Sequence, residues 1–383
     1  MYIKSLSVKN YRSLRNVYIG NLSPVVILYG ENNSGKSNVL SFLEQVFKRK
    51  REYKELLVDD PGALERQLTN FWDGIIENFS DNFYKNTNEP IEFTVIIDFT
   101  TPELQALGTF PTKFTDKLAK KTHKNHLSLV GKIEQIDSTT ARLRIDAMTI
   151  NNKDFLIIKD DLPQYLTGFS IKEAGEALDI FDRLMRNFND SFLRISPERF
   201  IEREEEIPRG SKLDLEPDKL KNWLFQTNLN RDTEGIFQEI VSSFEKTPFQ
   251  YGKLSLARLE PILIELYIEQ SNSVKLPIGR KGSGVQQVLM ILSYVAMTKA
   301  RFIGIEEPEI NLSPKSQKSV YENLRNLVMS AGRVVDQVFV TTHSPVIARR
   351  SGAQKRGVWM QKGETQISVP SAAEIDDFFQ LYY

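Results

Sequence analysis

The sequence contains no cysteine and only three histidines, His123, His126 and His343. The lack of cysteine excludes a disulfide scaffold, a thiolate nucleophile and a Cys-ligated zinc site. So few histidines also argue against a metal site that is built from imidazoles. A chain without cysteine fits a reducing compartment, and we expect a cytoplasmic protein.

The sequence also lacks an excess of either charge and any long apolar run. Fifty Lys and Arg residues balance fifty Asp and Glu residues, which excludes a basic coat over the whole surface and an acidic disordered tail. An anionic ligand must therefore be bound by a local site. The longest apolar segment, Val288–Met297, contains Ser293 and Tyr294 and is far shorter than a membrane helix. The N-terminus, Met1–Val8, lacks the apolar core of a signal peptide, so we expect no membrane partner.

The two ends of the chain carry an α/β pattern. The continuous apolar run Val25–Tyr29, between Pro24 and Gly30, is typical of a strand that is buried on both faces of a mainly parallel sheet. Alternation and helical periodicity predict the other elements of this part. These are strands near Tyr2–Val8, Val17–Ile19, Leu263–Glu269, Val274–Ile278, Phe302–Ile305 and Val334–Thr341, and helices at Ser37–Lys48, Gln286–Ala300 and Ser316–Met329.

The middle of the chain has a different pattern and no obvious chemical motif. The expected elements are strands at Ile91–Phe99, Leu127–Ile136, Ala141–Met148 and Phe155–Ile158, and helices at Ile171–Phe188 and Pro217–Phe244, the second broken around Asn228–Thr233. The strand spacing indicates an antiparallel meander. We therefore predict a split core formed by residues 1–48 and 261–383, with residues 49–260 as an inserted lobe of antiparallel strands and helices.

The strand Val25–Tyr29 leads directly into a phosphate loop, Gly30–Ser37, which matches the pattern Gly, four residues, Gly-Lys-Ser. Its glycines let successive N–H groups and the next helix N-terminus point at phosphates. Lys36 would reach the β- and γ-phosphates, and the Ser37 hydroxyl would bind Mg²⁺. The alternative is a Gly-rich turn before a helix, but the order of strand, loop and helix favours a nucleotide. The residues expected around the nucleotide here are Gly30, Asn32, Asn33, Ser34, Gly35, Lys36 and Ser37.

An acidic turn, Glu306–Glu309, follows the short apolar strand Phe302–Ile305. Ligands of parallel sheets bind at this end of the strands. We assign Glu306 to Mg²⁺ and Glu307 to the attacking water, because neighbouring side chains point in different directions. The alternative is an acidic surface turn, which is common after a strand. The acidic pair indicates a functional site only because the chain also contains the phosphate loop.

Two further segments are candidates for the same site. In the segment Gly282–Gln287, Ser283 and Gly284 begin a helix and offer a second anion-binding N-terminus. One nucleotide does not need two such ends from one chain, which suggests a partner's nucleotide; the alternative is an ordinary capped helix. His343 follows the last buried strand. It would contact a γ-phosphate or the catalytic carboxylate, whereas a lone histidine after a strand is by default structural.

Together with Tyr2–Lys4 and Asn10–Ser13, these motifs resemble the ABC-type ATPase heads of the RecF, SMC and OLD group, and most closely the OLD-type ATPases of bacterial anti-phage systems. The resemblance covers the first 48 or so and about the last 120 residues. It implies a two-lobed α/β P-loop ATPase head with an inserted α+β lobe. It also implies that ATP and Mg²⁺ bind between protomers of a nucleotide-sandwich dimer or higher oligomer.

The resemblance also assigns roles to individual residues. It makes Glu306 the Walker B acid, Glu307 the catalytic glutamate and His343 the switch histidine. Ser283 and Gly284 belong to the signature loop, Gly282–Gln287, which acts in trans, and Arg12 becomes a contact near the α-phosphate. Glu309 and Asn311 fall in the segment that meets the partner. Lys36 belongs with Glu307 and His343 among the expected catalytic residues. Gln135 is the candidate for the glutamine of the loop that such heads carry.

Departures from the family pattern set the expected function. The sequence contains no long heptad repeat, so coiled-coil arms like those of SMC proteins are not expected. Asp376 and Asp377 are adjacent, whereas the corresponding aspartates of the Toprim nuclease domain of OLD proteins are separated by one residue. We therefore expect an ATPase whose nucleotide state controls a separately encoded effector, a nuclease or toxin, in anti-phage defence. The alternatives are a RecF-like clamp that binds double-stranded DNA in repair and a scaffold that binds ATP without hydrolysis.

Overall fold

The computed structural model describes residues 1–47, 74–77, 82–84, 89–106, 124–151, 153–159, 162–164, 184, 187–188, 191–199, 201, 205–206, 219–246, 249–259, 263–269, 274–329 and 335–382. The helix predicted at Ile171–Phe188 lies largely outside these residues.

The described strands are β1 (Tyr2–Tyr11), β2 (Leu14–Ile19), β3 (Val25–Tyr29), β4 (Gly74–Glu77), β5 (Ile91–Thr100), β6 (Lys124–Gln135), β7 (Thr140–Ile150), β8 (Lys153–Lys159), β9 (Leu162–Gln164), β10 (Phe192–Ile195), β11 (Glu205–Glu206), β12 (Lys253–Arg258), β13 (Leu263–Glu269), β14 (Lys275–Pro277), β15 (Phe302–Glu306), β16 (Gln337–Thr342), β17 (Gln354–Gln361) and β18 (Glu364–Ser368). The described helices are α1 (Lys36–Phe47), α2 (Thr101–Ala106), α3 (Leu220–Leu229), α4 (Glu234–Glu245), α5 (Ser283–Met297), α6 (Pro314–Met329), α7 (Pro345–Ala348) and α8 (Ala372–Tyr382).

The predicted meander is confirmed, and it forms one sheet with the start of the chain. The order of strands is β2-β1-β5-β6-β7-β8-β9, with β4 paired to β7, and all of these pairs are antiparallel. Strand β5 pairs with β1 over most of its length, from Glu92 to Asp98. The described strands of the predicted insertion therefore continue a sheet that the first residues begin. The division of the chain at residues 48 and 260 stays a prediction.

The second sheet is mainly parallel and has the order β10-β15-β16-β3-β17-β18. Only its last pair, β17 with β18, is antiparallel. Strand β10 lies at one edge and comes from the middle of the chain, and no strand was predicted at its residues. Its four residues, Phe192–Ile195, are too short for a clear periodic pattern.

Alternate residues of β3 belong to two different hydrophobic cores, as the uninterrupted apolar run predicts. Val26 and Leu28 pack in the core that lies under the antiparallel sheet and α1. Val25, Ile27 and Tyr29 pack in the other core, with residues of α3 to α6 and α8. The parallel sheet is therefore covered on both faces, and the carboxyl ends of its strands are left as the edge where a ligand can bind.

The third sheet, β11-β13-β12 with β14 paired to β13, lies with α3 and α4 in the second core. The predicted helix break near Asn228–Thr233 is confirmed, because α3 ends at Leu229 and α4 begins at Glu234. The described helices include none that is long and apolar enough to cross a membrane.

Candidate nucleotide-binding site

The carboxyl ends of three neighbouring parallel strands carry the predicted site. Strands β15, β16 and β3 are adjacent, and their register pairs Glu306 with Thr341 and Thr342 with Tyr29. The strand ends are therefore level with one another. The phosphate loop, the acidic turn and the turn that contains His343 emerge side by side at this edge of the sheet.

The phosphate loop curls around the ammonium group of Lys36. Lys36 Nζ donates hydrogen bonds to the carbonyl oxygens of Gly30 at 3.0 Å and Glu31 at 2.6 Å. Burial lowers the pKa of Lys36 to about 8. Three residues of the loop, Gly30, Asn33 and Gly35, have positive φ angles of 158°, 59° and 99°, so the backbone follows the curled path that directs N–H groups inward.

The hairpin β17–β18 contacts the backbone of the phosphate loop. The Thr365 hydroxyl donates to the carbonyl oxygen of Ser34 at 3.0 Å and lies 2.6 Å from Ser13 Oγ. Asn38, in the first turn of α1, donates to Ser13 Oγ at 2.7 Å. A Cβ atom at Gly35 would lie 1.9 Å from Thr365 Oγ1, so this close approach requires glycine. Thr365 therefore links the backbone of the phosphate loop to Ser13 and, through Ser13, to the first turn of α1.

We expect Thr365→Val to weaken ATP binding by about five- to tenfold, because it removes the hydroxyl and leaves the buried Ser34 carbonyl without that donor, a loss of about 1 kcal/mol. Valine has nearly the same shape as threonine, so packing is preserved. The dissociation constant is measured by titration with a fluorescent ATP analogue. The matched control Thr365→Ser keeps the hydroxyl and should bind like the parent chain. Equal affinities of the valine and serine variants would refute this role of the Thr365 hydroxyl.

A hydroxyl and a carboxylate meet where Mg²⁺ was predicted. Ser37 Oγ donates to Glu306 Oε2, and Arg194 Nε donates to Glu306 Oε1 at 2.5 Å. Both Ser37 and Glu306 offer the hard oxygen ligands that Mg²⁺ prefers, and Mg²⁺ commonly adds phosphate oxygens and water. Among the described residues no group of three or more His, Cys, Asp and Glu side chains forms an all-protein metal site. The donor set therefore fits Mg²⁺ that arrives with a nucleotide.

Glu307 has an unusual backbone and a histidine beside it. Its φ angle is +44°, and its N–H donates to Thr341 O at 2.9 Å. Glu307 Oε1 lies 3.3 Å from His343 Nε2, and this imidazole lowers the pKa of Glu307. The carboxylate is consequently ionised at neutral pH, which is the state a general base requires.

Glu309 supports the turn that carries His343. Glu309 Oε1 accepts hydrogen bonds from Thr342 Oγ1 at 2.8 Å and from the His343 N–H at 2.6 Å. Burial raises the pKa of Glu309. Ser344 Oγ donates to Gln317 Oε1 at 2.6 Å, which links the same turn to α6. The carboxylate of Glu309 thus has a same-chain contact. That its segment meets a partner stays a prediction.

The signature loop also has a same-chain contact. Helix α5 begins at Ser283, and a Cβ atom at Gly284 would lie 2.4 Å from the carbonyl oxygen of Asn311. Asn311 itself has a φ of 60°. Glycine at position 284 is therefore required by packing against the segment after the acidic turn. The contact of Ser283 and Gly284 with a partner's nucleotide stays a prediction.

The remaining predicted residues, Arg12, Asn32 and Gln135, are not part of the Ser37–Glu306 and Glu307–His343 contacts. Arg12 Nε donates to Asn82 Oδ1 at 2.7 Å, and Arg12 Nη1 lies 3.3 Å from Asn38 Oδ1 in the first turn of α1. Asn32 is exposed in the phosphate loop. Gln135 donates to Asp137 O at 2.9 Å within the β6–β7 hairpin. Its assignment to the glutamine loop stays a prediction.

Sequence reasoning missed three residues that contact this site, namely Arg194, Arg199 and Thr365. The two arginines belong to the segment of β10 and the turn after it, which has no recognisable motif. Thr365 comes from a hairpin about 330 residues after the loop that it contacts. A short apolar strand followed by Ser-Pro and a second arginine was the only signal, and it is not distinctive.

The fold and the strand-end cluster define a P-loop ATPase with an ABC-type head. Two solved SMC heads have this fold. One is an Smc head bound to the C-terminal winged-helix domain of ScpA, with a TM-score of 0.52 and 16% identity over 98% of this chain and 100% of that chain. The other is the Pyrococcus furiosus Smc head with an extended coiled coil, bound to the C-terminal domain of ScpA, with a TM-score of 0.52 and 12% identity over 100% of this chain and 99% of that chain.

The chain belongs to the AAA ATPase domain family AAA_15, whose model matches residues 1–162 and 169–348. It is also similar to two DNA replication and repair proteins RecF. The protein of Rickettsia akari is 23% identical over 72% of this chain and 82% of its own length. The protein of Rickettsia felis is 23% identical over 71% of this chain and 81% of its own length. The predicted fold class is confirmed.

Proposed function

We propose that this protein binds ATP with Mg²⁺ and hydrolyses it at the edge formed by β3, β15 and β16. The observation that carries the proposal is the contact of Ser37 with Glu306, next to the Glu307–His343 pair. Lys36 and the loop N–H groups neutralise phosphate charge, Ser37 and Glu306 would hold the metal, and Glu307 accepts a proton from the attacking water. When bound, Mg²⁺ would neutralise charge that develops on the phosphates.

We further propose that two chains enclose the nucleotide. The N-terminus of α5 is a helix end suited to phosphate, and Gly284 packs it against Asn311, which follows the acidic turn. The two segments predicted to meet a partner are therefore adjacent in one chain. A second copy would place its Ser283 against the γ-phosphate and complete the site, so that ATP favours the closed assembly.

Double-stranded DNA is the first partner that we propose for the ATP-driven assembly. The two similar RecF proteins favour it, because they are described as acting in DNA replication and repair. Contacts with DNA phosphates would weaken steeply with salt. The second partner that we propose is a separately encoded effector protein, which the nucleotide state would control in anti-phage defence. This proposal rests on the likeness of the motifs to OLD-type ATPases.

Phosphate release by the purified chain tests the proposal. We expect release with ATP and Mg²⁺ and none when EDTA removes the metal. Under the DNA proposal, duplex DNA stimulates release at about 50 mM salt and loses most of its effect at about 200 mM. Without such stimulation, co-purification with the neighbouring gene product tests the effector proposal. Bound ATP without phosphate release would instead support a scaffold that does not hydrolyse ATP.

A further inference from the structure

We propose that Arg199 is a positioning residue that ties the acidic turn to the signature helix α5, so that one buried guanidinium sets the geometry of both halves of the nucleotide site. The inference rests on the proposed ATP hydrolysis. Arg199 is only 6% exposed and lies in the turn after β10, which pairs with β15.

The guanidinium of Arg199 binds the backbone of the acidic turn with two of its nitrogens. Arg199 Nη1 donates to Glu306 O at 2.7 Å, and Arg199 Nη2 donates to Glu307 O at 2.9 Å. These two carbonyls belong to the residues assigned to the metal and to the water. Because Glu307 has a left-handed backbone, which costs energy in a residue other than glycine, the bond to its carbonyl stabilises the conformation that turns its carboxylate toward His343.

The third nitrogen of Arg199 binds helix α5. Arg199 Nε donates to Gln287 Oε1, and Gln287 Nε2 donates back to Arg199 O at 2.7 Å. Gln287 is one helical turn after Ser283 and is itself 5% exposed. This reciprocal pair fixes the first turns of α5 relative to the acidic turn. A shift of the acidic turn would therefore move the helix end that is aimed at the partner's nucleotide.

The charge of Arg199 also belongs to this arrangement. Burial lowers the pKa of Arg199 to about 10, against the opposing effect of Glu309, Glu307 and Glu306. The side chain remains a cation at neutral pH and offsets part of the negative charge of the acidic turn. Lysine would supply the same charge, but its three donors share one nitrogen on a flexible chain, so it cannot replace three nitrogens that are held apart in one rigid plane.

Two variants test whether the hydrogen-bond geometry of Arg199, and not its charge, is what matters. Arg199→Lys keeps the positive charge and removes the planar guanidinium with its three donor nitrogens. Gln287→Met has a similar shape, leaves the two bonds to the acidic turn intact and removes the link to α5. We expect each variant to lower kcat for phosphate release by about 10- to 100-fold, the range for a displaced catalytic group. The dissociation constant for ATP should stay within about twofold, because Lys36 and its loop are untouched.

Arg325→Lys, on α6, is the matched control and should leave both quantities unchanged. Thermal unfolding of every variant, with and without ATP, shows whether the folded chain still binds nucleotide. Parent-like kcat in both variants would overturn the inference while the parent's hydrolysis stands. Parallel losses of kcat and ATP affinity would also overturn it, since they mark a merely structural role. A parent chain that releases no phosphate would overturn the proposed function itself, and this inference with it.

Discussion

Lys36→Ala is expected to lose ATP binding by about 100-fold or more, and phosphate release with it. Its ammonium lies inside the phosphate loop, bonded to Gly30 O and Glu31 O, and can transfer those bonds to phosphate oxygens. The loss of one or two charge-assisted hydrogen bonds corresponds to about 3 kcal/mol. Isothermal titration with ATP and Mg²⁺ measures it. Lys318→Ala, an exposed lysine on α6, is the control, and equal affinities of the two variants would contradict the assignment.

The pH dependence of ATP binding provides a second check on Lys36. Burial lowers its pKa to about 8 in the nucleotide-free chain, so the ammonium loses its proton as the pH rises through 8. Bound phosphates favour the charged form. We therefore expect ATP binding to weaken between about pH 7 and pH 9 and to take up a proton above about pH 8. Because the unfolded chain keeps this proton up to its ordinary pKa of 10.5, the burial of the charged Lys36 opposes folding below about pH 8, and stability rises with pH between about 8 and 10.5 as the folded chain loses the proton first.

Glu307→Gln is expected to lower phosphate release by about 1000-fold while ATP stays bound, because the amide keeps the shape of the side chain but cannot accept a proton as a general base. Under the proposed dimer, this variant accumulates an ATP-bound assembly. Release is measured under single-turnover conditions, and mass is measured by light scattering with and without ATP.

Glu322→Gln, on α6, should behave like the parent chain in both measurements. Undiminished release from Glu307→Gln would exclude its role as the base. If light scattering found one mass for the parent, Glu307→Gln and Lys36→Ala in every nucleotide state, the idea of nucleotide-driven assembly would be wrong. Equal ATP occupancy with no release from either the parent or Glu307→Gln would identify a scaffold.

Local sequence was sufficient for the parts of the site that are contiguous in the chain. The strand Val25–Tyr29, the loop Gly30–Ser37 and the helix after them follow from an apolar run, two glycines and a helical period. The acidic turn and the His343 turn were likewise predicted to follow buried strands, as they do. In each case the deciding signal lies within about ten residues, which is the range over which periodicity and turn chemistry act.

The supporting residues could not be predicted in this way. Strand β10 carries Arg194 next to Glu306, and the turn after it carries Arg199, yet the four-residue strand has no period that separates it from a loop. Thr365 meets Ser34 only because β17 and β18 complete the parallel sheet beside β3. Such contacts depend on the order of strands in space, which short-range patterns do not contain.

The sequence by itself determined a neutral, cysteine-free α/β chain whose phosphate-binding chemistry is concentrated in a few turns after buried strands. The tertiary structure alone decided that the antiparallel strands of the middle segment extend the first sheet and that β10 borders the acidic turn. It also decided that a buried arginine links that turn to α5. The reason is physical: a turn motif is encoded by neighbouring residues, whereas strand order and buried hydrogen bonds are selected by the packing of the whole chain.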